Sequence, residues 1–583
     1  MLDSLLFATK QRPYVLFLLL TILIWLNSFH SGTINLDTPW LVENNIILQE
    51  ASLDSLGKIF FDFSIGTRLS LGAEYLPIRD LSVMLDFLFF GESWVFHHFH
   101  SLFWYLLAGF FLLKLAFHIL GENTLTWLGV FSFMVHPTHV ESVVWLASRK
   151  DLLSLALGFW GLLSYVKNQR IFAPTVLFLL AYWAKNTAII FPPLLVCYTL
   201  LIARESPYSF SWWRKWSGLV IGFSAGLFLT MRTGKMVAMF AERRGENLLE
   251  GISIASQSWL QYAQMLLFPD SLSLLYSEPI ANISTAAFLG FGLVSLGIFL
   301  LGYCLMAKHF RASFFLLWMG ISFLPISQIT PIQNLIADRY LLLPSAGFCL
   351  LISIPRYQRL QEKLLLSWAI LLSFFTIQRI PLFHSSLSIW LDVTEKQPQV
   401  SRGWTSTIFL LQEMGDTEAA KNQLTKAFYQ LPNHPALLQS QGNLALSAGD
   451  QELALESFSS AWSRDKELRK SANNLVVLYQ QQGNFSKAIE IARELTTIHP
   501  LYANGWNTLG AAGIGSRDLT LAADALEKAY SLEPYSTSIL SNLGDLHYLQ
   551  QDYSKAQYFW LQTLQLAPNH EHAQQGLNAI QDK

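Results

Sequence analysis

The sequence predicts an all-α protein in two parts, a polytopic membrane helical bundle of about eleven spans followed by a helical-repeat solenoid. Three observations predict it. The 583 residues are 52% hydrophobic and only 14% charged, with a mean hydropathy of +0.33, whereas a soluble domain carries about 25% charged residues. The apolar runs stop near Leu382. Beyond Val400 the chain repeats itself every 34 residues. Charge divides the same way: residues 1–400 hold 26 Lys+Arg against 23 Asp+Glu, residues 401–583 hold 13 against 18. With a formal net charge of -2 there is no basic excess, so nucleic acid is not an expected partner. Cys197, Cys304 and Cys349 sit in apolar runs and form no CxxC pair, which leaves no disulfide framework.

A spanning helix needs roughly 20 mostly apolar residues. The first candidate, 13–29, follows Lys10 and Arg12 and lacks a small-x-small cleavage site, so it reads as an uncleaved span. Ten more follow at 95–118, 123–136, 150–166, 171–184, 186–203, 217–232, 287–307, 312–328, 341–355 and 364–382. The stretch 256–268 ends at Pro269 and reads as re-entrant or interfacial. Short loops bearing Lys114, Lys167/Arg170, Arg204, Lys308/Arg311 and Arg356/Arg359/Lys363 have the character of cytoplasmic loops. The same rule puts 31–93, 137–149, 233–286, 329–340 and everything after 383 outside, in a periplasm or ER lumen.

In the tail, repeats begin at Ser401, Pro435, Arg469, Ala503 and Thr537. Position 20 is always alanine (Ala420, Ala454, Ala488, Ala522, Ala556), and position 32 is proline in four of the five. Small residues let two helices approach closely, and proline ends the second. This is the pattern of five tetratricopeptide (TPR) repeats over 401–570, closed by a polar capping helix in 571–583. Such a stack presents a concave surface suited to an extended peptide.

Ionisable residues gather on the outer loops. Asp37, just past the first span, suits a general base at the membrane face, or a turn aspartate before Pro39. His136 and His139 precede Glu141, but Pro137 breaks the helix that would align them, and no HExxH pattern is present, so no metal is expected. Arg149 and Lys150 suit an anionic phosphate, or act as interfacial anchors. Lys185 is the only charge between Arg170 and Arg204, which places it at an outer turn. Asp338 and Arg339 are expected to pair with each other. The 44–63 stretch is expected to lie flat on the membrane and wall the site.

Five blocks carry a family resemblance: 75–82 (YLPIRDLS), 136–153 (HPTHVESV…SRKDLL), 184–192 (AKNTAIIFP), 268–276 (FPDSLSLLY) and 338–347 (DRYLLLPSAG). In order and over almost the whole chain, they resemble the transmembrane-and-TPR O-mannosyltransferases and their shorter bacterial relatives. The resemblance implies a GT-C glycosyltransferase fold and a polyprenyl-phosphate sugar donor, with no other cofactor. It implies transfer of mannose or another hexose to a hydroxyl, Ser/Thr of a protein, on the outer face, the TPR groove holding the acceptor protein or peptide. Asp37 and Glu141 become the catalytic carboxylates. Arg149, Lys150, Lys185 and Arg339 become donor-phosphate ligands, supported by Arg79, Asp80, His136, His139 and Asp338. Two positions depart from the family: Thr38 stands where relatives often carry a second acid, and Leu76 where they carry arginine. A membrane scaffold whose repeats recruit partners is the alternative. A transporter ranks below both, for want of an inverted repeat or a carboxylate chain through the spans.

Overall fold

The computed structural model describes residues 12–206, 210–236, 247–279, 284–327, 332 and 334–581. Lys10 and Gln328, the last residue of the 312–328 candidate span, lie outside them. The regular structure of the described residues is all helical, with no strand. They divide into two units: 1–62 with 74–397, and 63–73 with 398–583.

In the first unit, four helices among the described residues are long and apolar enough to cross a membrane: Pro13–His30, Trp94–Leu120, Thr285–Met306 and Gln358–His384. This corrects the expected eleven. Hydropathy reads through breaks that the backbone does not cross. Pro137 opens a tight turn over Pro137–His139, another covers Leu146–Ser148, and Asn186–Ile190 leads into Pro192. The apolar runs are thereby cut into helices such as Thr124–Met134 and Phe172–Ala184, 10–17 residues long. The 256–268 stretch is not a separate re-entrant piece but part of one helix, Leu248–Leu267. Thr285–Met306 is apolar on every side and only 6% buried, with Phe288, Ile298 and Phe299 about two-thirds exposed or more. A helix apolar all round needs an apolar surrounding, which a bilayer supplies.

The 44–63 stretch forms two helices, Ile46–Gln49 and Leu53–Phe61. Ile47, Leu48 and Ile59 turn inward and are buried, leaving Leu53 and Phe61 as its most exposed apolar side chains. The expected membrane-facing surface therefore shrinks to one edge.

In the second unit the repeat phase is kept to the residue. Each first helix begins at position 1 (Ser401, Pro435, Arg469, Ala503, Thr537). Each second helix is capped at position 16 by Asp416, Asp450, Asn484, Asp518 or Asp552, whose side chain accepts from the backbone N–H three residues on. Such a cap contributes about 1 kcal/mol. Position 15 has positive φ in every repeat: Gly415, Gly449 and Gly483, but Arg517 and Gln551 in the last two. A non-glycine residue there costs roughly 1 kcal/mol. Arg517→Gly and Gln551→Gly should each stabilise the tail by up to about 1 kcal/mol, read as a higher urea midpoint of residues 398–583. No change in the midpoint would mean that the side chains offset the strain.

Glycine at position 8 of three repeats, Gly442, Gly510 and Gly544, sets the helix spacing there: a Cβ on Gly544 would lie 2.3 Å from the Trp560 ring. The second unit also recruits residues 63–73, which the sequence assigns to the first 400. Ile65 and Leu69 of the short helix Ile65–Ser70 pack with Leu532, Ile539 and Leu543.

Candidate active site

Asp37 lies in a turn between the first span and a wide helical turn over Pro39–Glu43. The turn is pinned from outside. The Asn35 N–H donates to Ser386 Oγ at 2.8 Å, and the Gly32 N–H to the His384 carbonyl at 3.3 Å. Thr38 is fully buried, and its hydroxyl accepts from the Trp145 indole at 3.0 Å. The position where relatives often carry a second acid therefore packs and orients Trp145, and Asp37 stands alone. Its carboxylate is half-buried and makes no hydrogen bond or ion pair among the described residues.

Beside it lies a network of ion pairs. Glu74 receives the Lys150 ammonium at 3.0 Å and the Arg79 guanidinium at 3.2 Å. Arg79 also reaches Asp80 at 2.7 Å. Burial pulls the Arg79 pKa down, but Asp80, Glu74 and, more weakly, Asp37 hold it above its ordinary value. Lys185 pairs with Asp151 at 3.4 Å.

Glu141 is fully buried, enclosed by the Arg339 guanidinium on one oxygen and the Arg339 backbone N–H at 3.0 Å on the other. The guanidinium lies over the rings of Trp145 and Tyr340, 5.5 and 5.1 Å from their centroids. Asp338 pairs with Arg379 and accepts from the Tyr276 hydroxyl. The expected Asp338–Arg339 pair is therefore replaced by two separate pairs. Consecutive residues in a tight helical turn project in different directions, so each takes a partner from another element. Burial pushes the Asp338 carboxyl up to about 7 against the pull of Arg379, with Glu141 adding to the rise.

Four of the motif blocks thus meet directly. The 136–153 block supplies Glu141, Lys150 and Asp151. Their partners come from the 338–347 block (Arg339), from the 184–192 block (Lys185), and from Glu74, which directly precedes the 75–82 block and also pairs with its Arg79. The fifth, 268–276, joins through Tyr276 on Asp338.

Three expected site residues are committed elsewhere. Arg149 is buried and pairs with Asp86, donating also to Ser101 Oγ at 3.0 Å and the His97 carbonyl at 2.8 Å. None of these partners belongs to the network around Glu74 and Glu141. His136 bonds Thr138 Oγ1 at 2.7 Å and the Leu266 carbonyl at 3.1 Å. His139 bonds the Tyr105 hydroxyl at 2.7 Å and Ser345 Oγ at 2.9 Å. Burial lowers His136 to about 4 and holds His139 well below its ordinary value, so both are neutral imidazoles that tie helices together. No group of three metal-binding side chains occurs among the described residues.

Sequence reasoning missed Glu74, Asp86, Tyr276 and Arg379. The available signal was position: Glu74 directly precedes the 75–82 block, and Tyr276 ends another.

Glu74 carries a pH prediction. Burial would raise its pKa, but Lys150, Arg79 and Lys185 outweigh this and hold it at about 2, below its ordinary 4.5. A depressed acid stabilises the fold above its unfolded value and loses that contribution as pH falls through the folded one. The melting-temperature gap between wild type and Glu74→Gln should be full above pH 4.5 and close towards pH 2. A gap that is constant across that window would show that Glu74 acts by packing alone.

No family model matches the chain. Among curated proteins, it is 26% identical over 363 residues to a protein O-mannosyl-transferase of Caenorhabditis elegans, covering 59% of this chain and 51% of that one. It is 24% identical over 193 residues to the protein O-mannosyl-transferase TMTC3 of Homo sapiens, covering 32% and 21%. The chain thus spans about half the length of the first relative and about a fifth of the second. Solved structures similar to it include YrrB, described as a TPR protein with an unusual peptide-binding site. It is 14% identical, covers 32% of this chain and 97% of its own, and has a TM-score of 0.26. Another is the type IV pilus biogenesis factor PilW, 14% identical, covering 32% and 94%, with a TM-score of 0.27. The resemblance read from the five motif blocks therefore holds in the comparison with known proteins: the chain is similar to protein O-mannosyl-transferases of the transmembrane-and-TPR type.

Proposed function

We propose that the protein is an integral-membrane glycosyltransferase of GT-C type. It transfers mannose or another hexose from a polyprenyl-phosphate donor to a Ser/Thr hydroxyl of a protein on the outer face of the membrane. The observation that carries this reading is the carboxylate of Asp37. It is half-buried, without a hydrogen-bond partner among the described residues, and it acts on Arg79 within the network. A base that works must be reachable and not already consumed by an ion pair.

The step balances simply. The acceptor oxygen attacks the anomeric carbon, a C–O bond forms, and the anomeric C–O bond to phosphate breaks. The hydroxyl proton passes to Asp37, and the electron pair leaves on the lipid phosphate. Lys150, Lys185 and Arg339 are 18, 13 and 9% exposed at their side chains. They form the cationic wall to which that developing charge is assigned, a stabilisation of several kcal/mol in a water-poor site. Glu141, enclosed by Arg339, is assigned to positioning rather than to proton transfer. Arg149 supports the fold through Asp86 rather than holding phosphate.

The TPR tail is the acceptor-binding part. Amide and hydroxyl side chains link successive first helices, with Asn474 donating to Asn443 at 3.2 Å, Asn542 to Asn507 at 2.8 Å, and the Thr508 hydroxyl to Asn473 at 3.1 Å. Such a polar row suits the backbone of an extended peptide.

Two measurements test the reading. Glycoproteomics of a deletion strain should show a hexose lost from secreted or outer-face proteins and restored by wild type but not by Asp37→Asn. With the shorter apolar helices completing further crossings, so that their total is odd, a phosphatase reporter fused after Lys583 should be active, and one after Arg204 silent. Unchanged glycoproteins, or activity at Arg204 with silence at Lys583, would reject it.

A further inference from the structure

A cavity of about 1200 Å³ opens where the basic loops at Arg204, Lys308–Arg311 and Arg356 come together. None of the motif-block residues that form the ion-pair network lines it. Its walls are apolar, with Leu300, Leu351, Leu364 and Trp368 among them, and they come from Thr285–Met306, Leu342–Leu351 and Gln358–Arg379. Its rim holds four cations, Arg204, Lys308, Arg311 and Arg356, and no acidic residue lines it. None of the four is held in an ion pair among the described residues. The neighbouring acid, Glu205, lies outside the lining and accepts from the Tyr165 hydroxyl at 2.7 Å. Arg204 lies 4.7 Å above the Phe310 ring, which holds its charge at the rim.

We propose that this cavity binds one anionic phospholipid of the cytoplasmic leaflet, its acyl chains along the apolar wall and its phosphate among the four cations. Shape and charge argue together. The volume exceeds the roughly 300–1,000 Å³ of ordinary small-molecule pockets, and the cavity is flanked by two of the candidate spans. An apolar slot open at the side of a membrane helix fills with lipid. An acid-free cationic rim selects the anionic kind: each Lys or Arg near the surface adds roughly fivefold to the preference for anionic lipid. The loops that build the rim are those whose positive charge marks the cytoplasmic side, where anionic lipid gathers.

Native mass spectrometry of the full chain, released from detergent with equal phosphatidylglycerol and phosphatidylcholine, tests this. Wild type should retain one phosphatidylglycerol, at least about tenfold above phosphatidylcholine, as expected for more than one contributing cation. Lys308→Gln/Arg311→Gln/Arg356→Gln should lose that preference. Ala312→Trp, which fills the slot and leaves the charges, should lose the bound lipid. Arg359→Gln/Lys363→Gln, exposed on the same side but outside the cavity lining, should behave as wild type. Glycerol phosphate, a headgroup without tails, should not displace the lipid. Wild type without preference, a control pair that loses as much as the triple variant, retention in Ala312→Trp, or displacement by glycerol phosphate would each overturn the proposal.

Discussion

Asp37→Asn should lower sugar transfer by at least about 100-fold while leaving the protein folded and inserted. The size follows from the role: a positioned general base contributes about 10²–10⁴. The harmlessness to folding follows from the surroundings. The Asp37 side chain makes no hydrogen bond or ion pair among the described residues, so asparagine breaks no contact there. The turn itself is held by backbone bonds, the Leu41 N–H to the Asp37 carbonyl at 3.0 Å and the Asn44 N–H to the Pro39 carbonyl at 2.8 Å. Neither needs a carboxylate. The variant is measured twice, for transfer to a hydroxyl peptide and for binding of the lipid-phosphate sugar.

Donor binding should stay within about threefold of wild type, because the proposed phosphate contacts are Lys150, Lys185 and Arg339, and loss of a base alone lowers kcat rather than affinity. If transfer survives, the role passes to another acid. Glu141 is a poor substitute, since both its oxygens are engaged by Arg339. Glu74 serves two cations at once. A wild-type rate in Asp37→Asn would therefore remove Asp37 as the base and leave an acid already engaged by an arginine, Asp80 or Glu141, to take the proton.

The tail was legible to the residue and the bundle was not, for physical reasons. A TPR hairpin is determined locally. The cap at position 16, the left-handed turn at position 15 and the helix-ending residue at position 32 all act within a few residues, so the period announces the fold. Span number is different. Hydropathy averages across Pro137 and across the turn at Asn186–Ile190, where the helix in fact breaks. Membership of the ion-pair network was legible only through the motif blocks, which held Glu141, Lys150, Lys185 and Arg339 but did not say who faces whom. Glu141 and Arg339 are 198 residues apart in sequence. Arg149 and Lys150 are adjacent, yet one locks onto Asp86 and the other onto Glu74, because neighbours on a helix diverge by about 100°. Glu74 escaped notice as an acid with no motif of its own. The docking of Ile65 and Leu69 with the repeats has no local signal, since a short apolar helix reads the same wherever it packs.

Arg339→Leu has the largest expected effect on stability. It removes the cation from Glu141, which is fully buried, and leaves that carboxylate only the backbone N–H of residue 339. Breaking one side of a buried pair costs about 3–5 kcal/mol, most of it the penalty of an uncompensated charge. The loss should appear as a lower melting temperature in detergent and a reduced membrane yield. Glu141→Gln/Arg339→Leu separates stability from chemistry. Removing the orphaned charge should restore most of the lost stability, a coupling of about 2–3 kcal/mol between the two sites. Transfer should not return with it. If Arg339 faces the leaving phosphate, its guanidinium is missing from the double variant as from the single one, and a contact made only as charge develops is worth about 10²–10³ in rate. A double variant as unstable as Arg339→Leu would mean that Arg339 holds the fold by stacking on Trp145 and Tyr340 rather than by charge. A double variant that is stable and fully active would remove both residues from the reaction and leave Lys150 and Lys185 as its cationic wall.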